Sequence, residues 1–262
     1  MVEKLHGAIA YEHKIRFLNP PTEHPSLKLL MKSVRRNLAQ PRSPVTPLTL
    51  EHLLKLNQHL NSLGEKADLV TWRTVWRLNV EYYTMCRFSE VNPLSTKDLK
   101  YSENPQPTYA ILIRKSKTDQ LGQGTTKYLY SVSENSTLCP VKLTKKYLSR
   151  LSAHTPKVGY CGFLQPKVQK CKKLNAQIPL PNTMIGYSSC LDESKSLLAK
   201  LGISGRFGEH SGRRGGATAA AANGATIDEV QTLGGWKSAE CANKYVEKSV
   251  TQKERISKLL YP

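Results

Sequence analysis

The amino-acid sequence predicts an α+β fold that is predominantly helical, with one small antiparallel β-hairpin or sheet. Three observations predict it. Apolar residues recur at helical spacing in several segments, as in Leu27, Leu30, Met31, Val34 and Leu38. One short apolar run, Tyr109 to Ile113, is followed by a glycine-bearing turn and a second run near Lys127 to Val132, the pattern of a hairpin. The C-terminal part holds an alanine-rich helix, His210 to Ala222, and two further segments that open on capping residues.

Taken in order, residues 1–38 contain one clear helix. Pro25 sits in its first turn, where a missing amide costs nothing, and Lys28, Lys32, Arg35 and Arg36 occupy its other faces. Asn19-Pro20-Pro21-Thr22 before it is a turn. Pro41, Pro44 and Pro47 forbid a regular helix, so residues 41–48 read as a proline-rich linker between domains. Thr49 caps a helix carrying Leu50, Leu53, Leu54, Leu56 and Leu60, which stops at Gly64. Asp68 or Thr71 starts the next, through Trp72, Val75, Trp76, Leu78, Val80 and Tyr83; Trp72 and Trp76 lie one turn apart and belong in the core.

The hairpin has a basic tip, Arg114-Lys115-Ser116-Lys117-Thr118-Asp119, and a turn with Gly122 and Gly124. Leu143 to Leu151 is helical. Residues 153–183, rich in proline, glycine and lysine, read as irregular, with Lys170-Cys171-Lys172-Lys173 as a solvated loop. Ser188 to Leu201 is a helix ended by Gly202. His210 to Ala222 closes at Asn223-Gly224. Thr226 and Glu229 form a capping box for a helix that ends at Gly234-Gly235. Ser238 caps a short helix expected to carry Tyr245, and Ile256, Leu259 and Leu260 mark a tail that packs on its own domain or docks on a neighbour.

Composition bounds the function. The 262 residues carry 39 Lys plus Arg against 20 Asp plus Glu, a formal charge of +19. A surface this basic repels itself unless it meets a polyanion, and nucleic acid is the usual one. The charge is spread along the chain, which suits a protein that surrounds a duplex better than one with a basic tail. No run approaches the ~18 apolar residues needed to span a bilayer. Met1 to Ala10 includes Glu3, Lys4 and His6 and lacks an apolar run, so no secretory signal is expected. Cys86, Cys139, Cys161, Cys171, Cys190 and Cys241 form no CxxC pair, which argues against a finger-type zinc site; all six are expected as reduced, mostly buried thiols. P-loop, HExxH, GxSxG and GxGxxG motifs are absent.

The chemistry concentrates in the last third. His210 and Arg213 stand three apart at a helix start and share a face. Trp236 follows a glycine pair, and Tyr245 lies nine residues further on. Singly these have ordinary readings: a capped surface histidine, a salt-bridged arginine, a core tryptophan, one tyrosine of twelve. Together, a guanidinium, an imidazole, an indole N–H and a phenol are an odd set for a core. They suit a phosphate diester: the phenol attacks while the others donate hydrogen bonds to the crowded phosphate oxygens.

Arg87 stands in Cys86-Arg87-Phe88-Ser89-Glu90-Val91, ahead of Leu94 and Asp98. Lys117 stands in Lys115-Ser116-Lys117-Thr118-Asp119, and the second box reads His210-Ser211-Gly212-Arg213-Arg214-Gly215-Gly216-Ala217-Thr218. With Trp236 and Tyr245, these residues resemble the ordered signature of the tyrosine recombinase (phage integrase) family, Arg…Lys…His-x-x-Arg…His/Trp…Tyr. The resemblance runs from about Leu48 to Leu260, and the second box is similar to those of recombinases of eukaryotic mobile elements. It implies a partial core-binding helical segment at 1–40, the linker at 41–48 and a catalytic domain at 49–262. Residues 1–40 match only the last helix or two of the family's DNA-clamping N-terminal domain.

The resemblance further implies site-specific DNA cleavage and rejoining, with Tyr245 as nucleophile forming a 3′-phosphotyrosyl link. Arg87 and Arg213 would hold the nonbridging oxygens, Lys117 would protonate the leaving 5′-oxygen, His210 would act as acid/base, and Trp236 would donate its indole N–H. Lys115 lies two residues from Lys117 on the same hairpin face and is the alternative acid. Lys115, Arg214, Lys32, Arg35 and Arg36 are expected on the DNA, Glu90 behind Arg87, and Gly215 and Gly216 where a helix packs closely. No metal or cofactor is implied. The expected partner is double-stranded DNA, bound by a homo-oligomer, with no membrane and no small-molecule substrate. The setting is intracellular: the nucleus in a eukaryote, the cytoplasm or nucleoid in a prokaryote. Two other readings share the fold: a domesticated or truncated DNA-binding protein without recombination, and a relaxing enzyme of the type IB topoisomerase kind.

Overall fold

The computed structural model describes residues 2–38, 45–119, 121–133, 136–153, 159–171 and 176–246. The chain divides into two compact units, Met1–Pro44 and Val45–Pro262. In the first, α1 (Val2–Ile15) and α2 (Pro25–Asn37) flank a 3-10 turn at Pro21–Glu23. His24 caps α2 by accepting the Ser26 amide, and an ion pair of 3.0 Å joins Arg35 to Glu3 of α1. The sequence led to one helix here, and α1 is the second. It contains Gly7 and buries none of its residues, so it lacks the core-facing stripe that periodicity detects.

The second unit contains α3 (Leu50–Leu63), α4 (Leu69–Thr84), α5 (Phe88–Val91), β1 (Leu99–Ser102), β2 (Thr108–Ile113), β3 (Thr125–Tyr130), α6 (Pro140–Ser152), β4 (Pro166–Cys171), β5 (Ala176–Met184), α7 (Tyr187–Lys200), α8 (Ser211–Ala222), α9 (Ile227–Gly234) and α10 (Ala239–Asn243). Helix dominates, as the α+β reading requires. The caps read from sequence are in place: Thr49 on α3, Asp68 on α4, Thr226 with Glu229 on α9 and Ser238 on α10. α10 is shorter than expected. It ends at Asn243, so Tyr245 lies in the turn beyond the helix rather than on it.

The hairpin of β2 and β3 gains β1, giving an antiparallel sheet in the order β1-β2-β3. Residues 153–183, expected to be irregular, contain a second antiparallel pair, β4-β5. Its prolines disguise it: Pro166, Pro179 and Pro181 are tolerated because in a two-stranded sheet every strand is an edge. Gln177 on β5 accepts the amides of Leu69 (2.8 Å) and Val70 (3.3 Å), tying this hairpin to the start of α4. Lys170 and Cys171 lie on β4, while Lys172, Lys173 and the tail with Ile256, Leu259 and Leu260 lie outside the described residues.

α4 is the central helix, packed against α3, α6, α7 and α8 and buried nearly all round. Trp76 is fully buried, stacks on Tyr147 and donates its indole N–H to Thr144 (3.0 Å); Trp72 is also core. Polar residues on α4 are buried with partners: Arg73 pairs with Glu193 on α7, Arg77 with Glu81 on α4 itself and with Ser194 on α7, and Asn79 with Asn57 on α3. Such groups are costly to bury unless satisfied, and here they fix how the helices meet. The thiols divide evenly: Cys86, Cys139 and Cys190 are buried, Cys161 and Cys241 exposed and Cys171 between, so the expectation of mostly buried thiols holds for half. No helix among the described residues is long and apolar enough to cross a membrane.

Candidate active site

α8 touches α4, and the segment leading into α3, more closely than side chains allow. A Cβ on Gly216 would stand 2.1 Å from the Tyr82 carbonyl oxygen, one on Gly215 1.9 Å from that of Leu48, and one on Gly212 2.7 Å from Glu81 Cβ. This contact carries Arg213, fully buried, to the end of α4. There Met85 adopts the left-handed conformation (φ 52°) and its carbonyl accepts Arg213 Nη1–H. A non-glycine residue in that region costs about 1 kcal/mol or more. The turn directs the chain through Cys86 to Arg87, at the N-cap of α5. Glu90, buried, takes the Arg87 amide (2.8 Å) on one carboxylate oxygen and the guanidinium on the other. Glu90 thus supports Arg87 through both backbone and side chain.

α9 ends at Gly235 in the left-handed region (φ 67°), and the chain turns into Trp236. The Arg213 guanidinium carbon lies 3.9 Å from the centre of the Trp236 ring and 5.4 Å from that of Tyr245. The Tyr245 ring is 5.0 Å from Trp236 and 5.7 Å, nearly perpendicular, from His210. α8 also holds the tyrosine turn, through Arg214 Nη1 to the Lys244 carbonyl (3.0 Å) and Thr218 to the Tyr245 carbonyl (3.4 Å). Four buried side-chain nitrogens around the ring have no hydrogen-bond partner among the described residues: Arg213 Nε and Nη2, Trp236 Nε1 and His210 Nδ1. Buried polar atoms are rarely left this way: the N–H groups of Arg213 and Trp236 suit an anion rich in acceptor oxygens, while His210 Nδ1, its Nε2 facing the Glu209 carboxylate, is free to accept a proton.

The electrostatics agree. Burial, reinforced by the charge of Arg87, lowers Arg213 to about 10, so it stays cationic at neutral pH. Burial lowers His210 below its ordinary value, with Arg213, Arg87 and Lys117 acting in the same sense and Glu209, 3.2 Å from Nε2, against them. His210 is therefore neutral at pH 7.

The β2–β3 loop is ordered by its own polar residues. Ser116 Oγ accepts the amides of Thr118 (3.3 Å) and Asp119 (3.1 Å), and the Asp119 carboxylate accepts those of Gly124 (2.8 Å) and Gln123 (3.1 Å). The Gly124 amide leads in holding that carboxyl below its usual range. Lys115 and Lys117 are both exposed, but they differ in surroundings. Lys117 lies close enough to act on His210, whereas the Lys115 stem lies over Gly122.

The structure therefore groups Arg87, His210, Arg213, Trp236 and Tyr245, with Lys117 at their edge. Lys32, Arg35 and Arg36 are exposed on α2 of the first unit, Arg35 in its pair with Glu3. Sequence reasoning missed Ser116, Asp119, Glu209 and Lys127. Lys127 carried a legible signal: it alternates with Leu129 on the inward face of its strand, a position where a lysine is out of place.

Comparison with curated protein sequences finds no match. Solved structures do match. XerA recombinase aligns with 18% identity over 100% of this chain and 82% of its own, TM-score 0.57. The XerH site-specific recombinase bound to palindromic difH substrate aligns with 15% identity over 86% of this chain and 56% of its own, TM-score 0.57. The Tn1549 transposon integrase in complex with transposon right end DNA aligns with 18% identity over 98% of this chain and 84% of its own, TM-score 0.52. The chain thus spans little more than half of XerH, and at these identities the likeness establishes the fold. The family model described as the phage integrase family matches residues 47–252, most of the chain, and the chain belongs to that family.

Proposed function

We propose that this protein breaks and rejoins DNA strands through Tyr245. The observation that carries this reading is the set of buried, unpartnered N–H groups on Arg213 and Trp236, with the unpartnered His210 Nδ1, around one phenol beside Arg87. XerH and the Tn1549 integrase, which share the fold, are described as bound to their DNA, and the net charge of +19 fits the same partner.

In this mechanism the scissile phosphate sits against Arg213 and Arg87, whose guanidiniums fork onto the nonbridging oxygens and stabilise the charge that builds there. His210, neutral at pH 7, takes the phenolic proton as Tyr245 oxygen bonds to phosphorus. The bond to the 5′-oxygen breaks, and Lys117 supplies its proton. The product is a 3′-phosphotyrosyl link and a free 5′-hydroxyl, and attack by a 5′-hydroxyl from another strand reverses the chemistry and exchanges strands. Trp236 donates its indole N–H to a phosphate oxygen. Arg214 and Lys115, with Lys32, Arg35 and Arg36 of residues 1–40, contact backbone phosphates. Each protomer carries one Tyr245, so exchanging both strands of two duplexes requires several copies of the chain.

The test is covalent trapping. Wild type and Tyr245→Phe are mixed with nicked duplexes from the protein's own locus and denatured in SDS. A slow-migrating adduct formed only with Tyr245 is expected. Adduct formation by Tyr245→Phe would move the nucleophile elsewhere, and salt-sensitive binding without any adduct would leave a DNA-binding protein.

A further inference from the structure

Lys127 is the least expected residue on the inner face of the three-stranded sheet. It stands opposite Ile111 in register, on the same side of β3 as Leu129, and is 8% exposed. An isoleucine or valine there would pack as well and avoid burying an ammonium, which is costly unless the charge is well partnered. Burial pushes the Lys127 ammonium below its usual range, while Cys86 and Glu90 favour its charge and Arg213 and Arg87 oppose it. It lies, then, in the same charged cluster as the two site arginines.

Its hydrogen bond goes to the carbonyl oxygen of Leu233, at the C-terminal end of α9, where a helix favours a cation. The neighbouring turn is tethered from the same hairpin a second time: Thr118 Oγ1 donates to the Gly235 carbonyl (3.4 Å). At the far side of the loop Arg114 pairs with buried Asp98, the residue that also receives the Ser95 amide. The segment bearing Lys117 is thus held at one end by the stretch after Arg87 and at the other by the turn leading to Trp236.

We propose that Lys127 is a positioning residue: by fixing β3 to the Leu233 carbonyl, it sets the hairpin so that Lys117 meets the leaving oxygen of the strand attacked by Tyr245. This rests on the recombinase reading above. It makes the turn at Leu233–Gly235 the shared mount of the proton donor on one side and of Trp236 and the nucleophile on the other.

Matched nicked duplexes with an ordinary 5′-oxygen or a 5′-bridging phosphorothiolate test it, because the sulfur leaves without a proton. Lys127→Met should slow adduct formation ~10–100-fold on oxygen, in line with the cost of ångström-scale misplacement, and less than ~3-fold on sulfur. In a Lys117→Ala background, Lys127→Met should add nothing on oxygen. Equal slowing on both substrates, additive slowing with Lys117→Ala, or no slowing overturns the proposal. Should Lys127→Met fail to fold, Thr118→Val should show the same preference for sulfur, and its absence overturns the proposal equally. A wild-type chain that gives no adduct with either substrate refutes the recombinase reading instead. The tether itself is then judged by amide exchange over residues 114–119, which Lys127→Met should speed; unchanged exchange refutes it.

Discussion

Replacing Arg213 by lysine isolates what a buried guanidinium contributes beyond its charge. The guanidinium has five N–H bonds, and the described structure gives it one acceptor, the Met85 carbonyl, through Nη1. Nε and Nη2, both buried, remain for a phosphate. A lysine ammonium keeps the charge but is a point donor on a flexible stem: it reaches Met85 or the phosphate, and cannot fork onto two oxygens. Removing one such donor from a developing oxyanion typically costs ~2.7–4 kcal/mol, or ~10²–10³ in rate. Stability should change far less. The Trp236 contact at 3.9 Å is worth about 0.5–2 kcal/mol, and removing two unsatisfied buried donors offsets part of that. DNA affinity, spread over many phosphates, should fall only slightly. The assay is single-turnover adduct formation on a nicked duplex, with gel-shift binding and thermal melting in parallel. Arg213→Lys should react ~100–1,000-fold slower while melting within about 4 °C of wild type. A rate within ~10-fold of wild type, or binding that falls as far as the rate, would refute the reasoning.

Two further predictions concern the scaffold. Gly215→Ala and Gly216→Ala drive a methyl into the Leu48 and Tyr82 carbonyls, so each should destabilise by ~1–3 kcal/mol or more and lower the melting temperature by roughly 3–10 °C. Gly7→Ala, with open space on α1, should not lower it, and equal behaviour of all three would contradict the close packing of α8 on α4 and on Leu48. His52 and His210 are both held below the ordinary histidine value of 6.5 by burial. For each, the folded state sheds a proton that the unfolded chain keeps, so stability rises with pH between the depressed value and 6.5 and is lost on acidification. His52 Nδ1 also accepts the Thr49 amide (3.2 Å), an acceptor that protonation removes. Melting temperature should therefore drop as pH falls from about 7 to 5, and drop less in the His52→Gln, His210→Gln double variant; parallel curves would dissociate these histidines from the acid loss.

What was legible in the sequence was local. A cap, a glycine stop or an alternation acts within one turn of helix or a few residues of strand, which is why Thr49, Asp68, Thr226 and the β2–β3 hairpin could be read directly. β4 and β5 escaped because proline signals a break unless the strand is known to be an edge, a fact of topology. α10 was read too long because Ser238 marks its start clearly while nothing as strong as a glycine marks its end. The order of the signature residues was legible for the same local reason, since each sits in a short box. Their convergence was not. Arg213 reaches Met85 across 128 positions, Lys127 reaches Leu233 across 106 and Thr118 reaches Gly235 across 117. The first of these contacts depends on α8 lying against α4 at a distance that Gly212 and Gly216 permit, with Gly215 against Leu48. The glycines of the second box are thus the physical link between its spelling and its geometry: they touch no substrate in the proposed chemistry, yet without them Arg213 could not stand beneath Met85, with Trp236 and Tyr245 stacked around it.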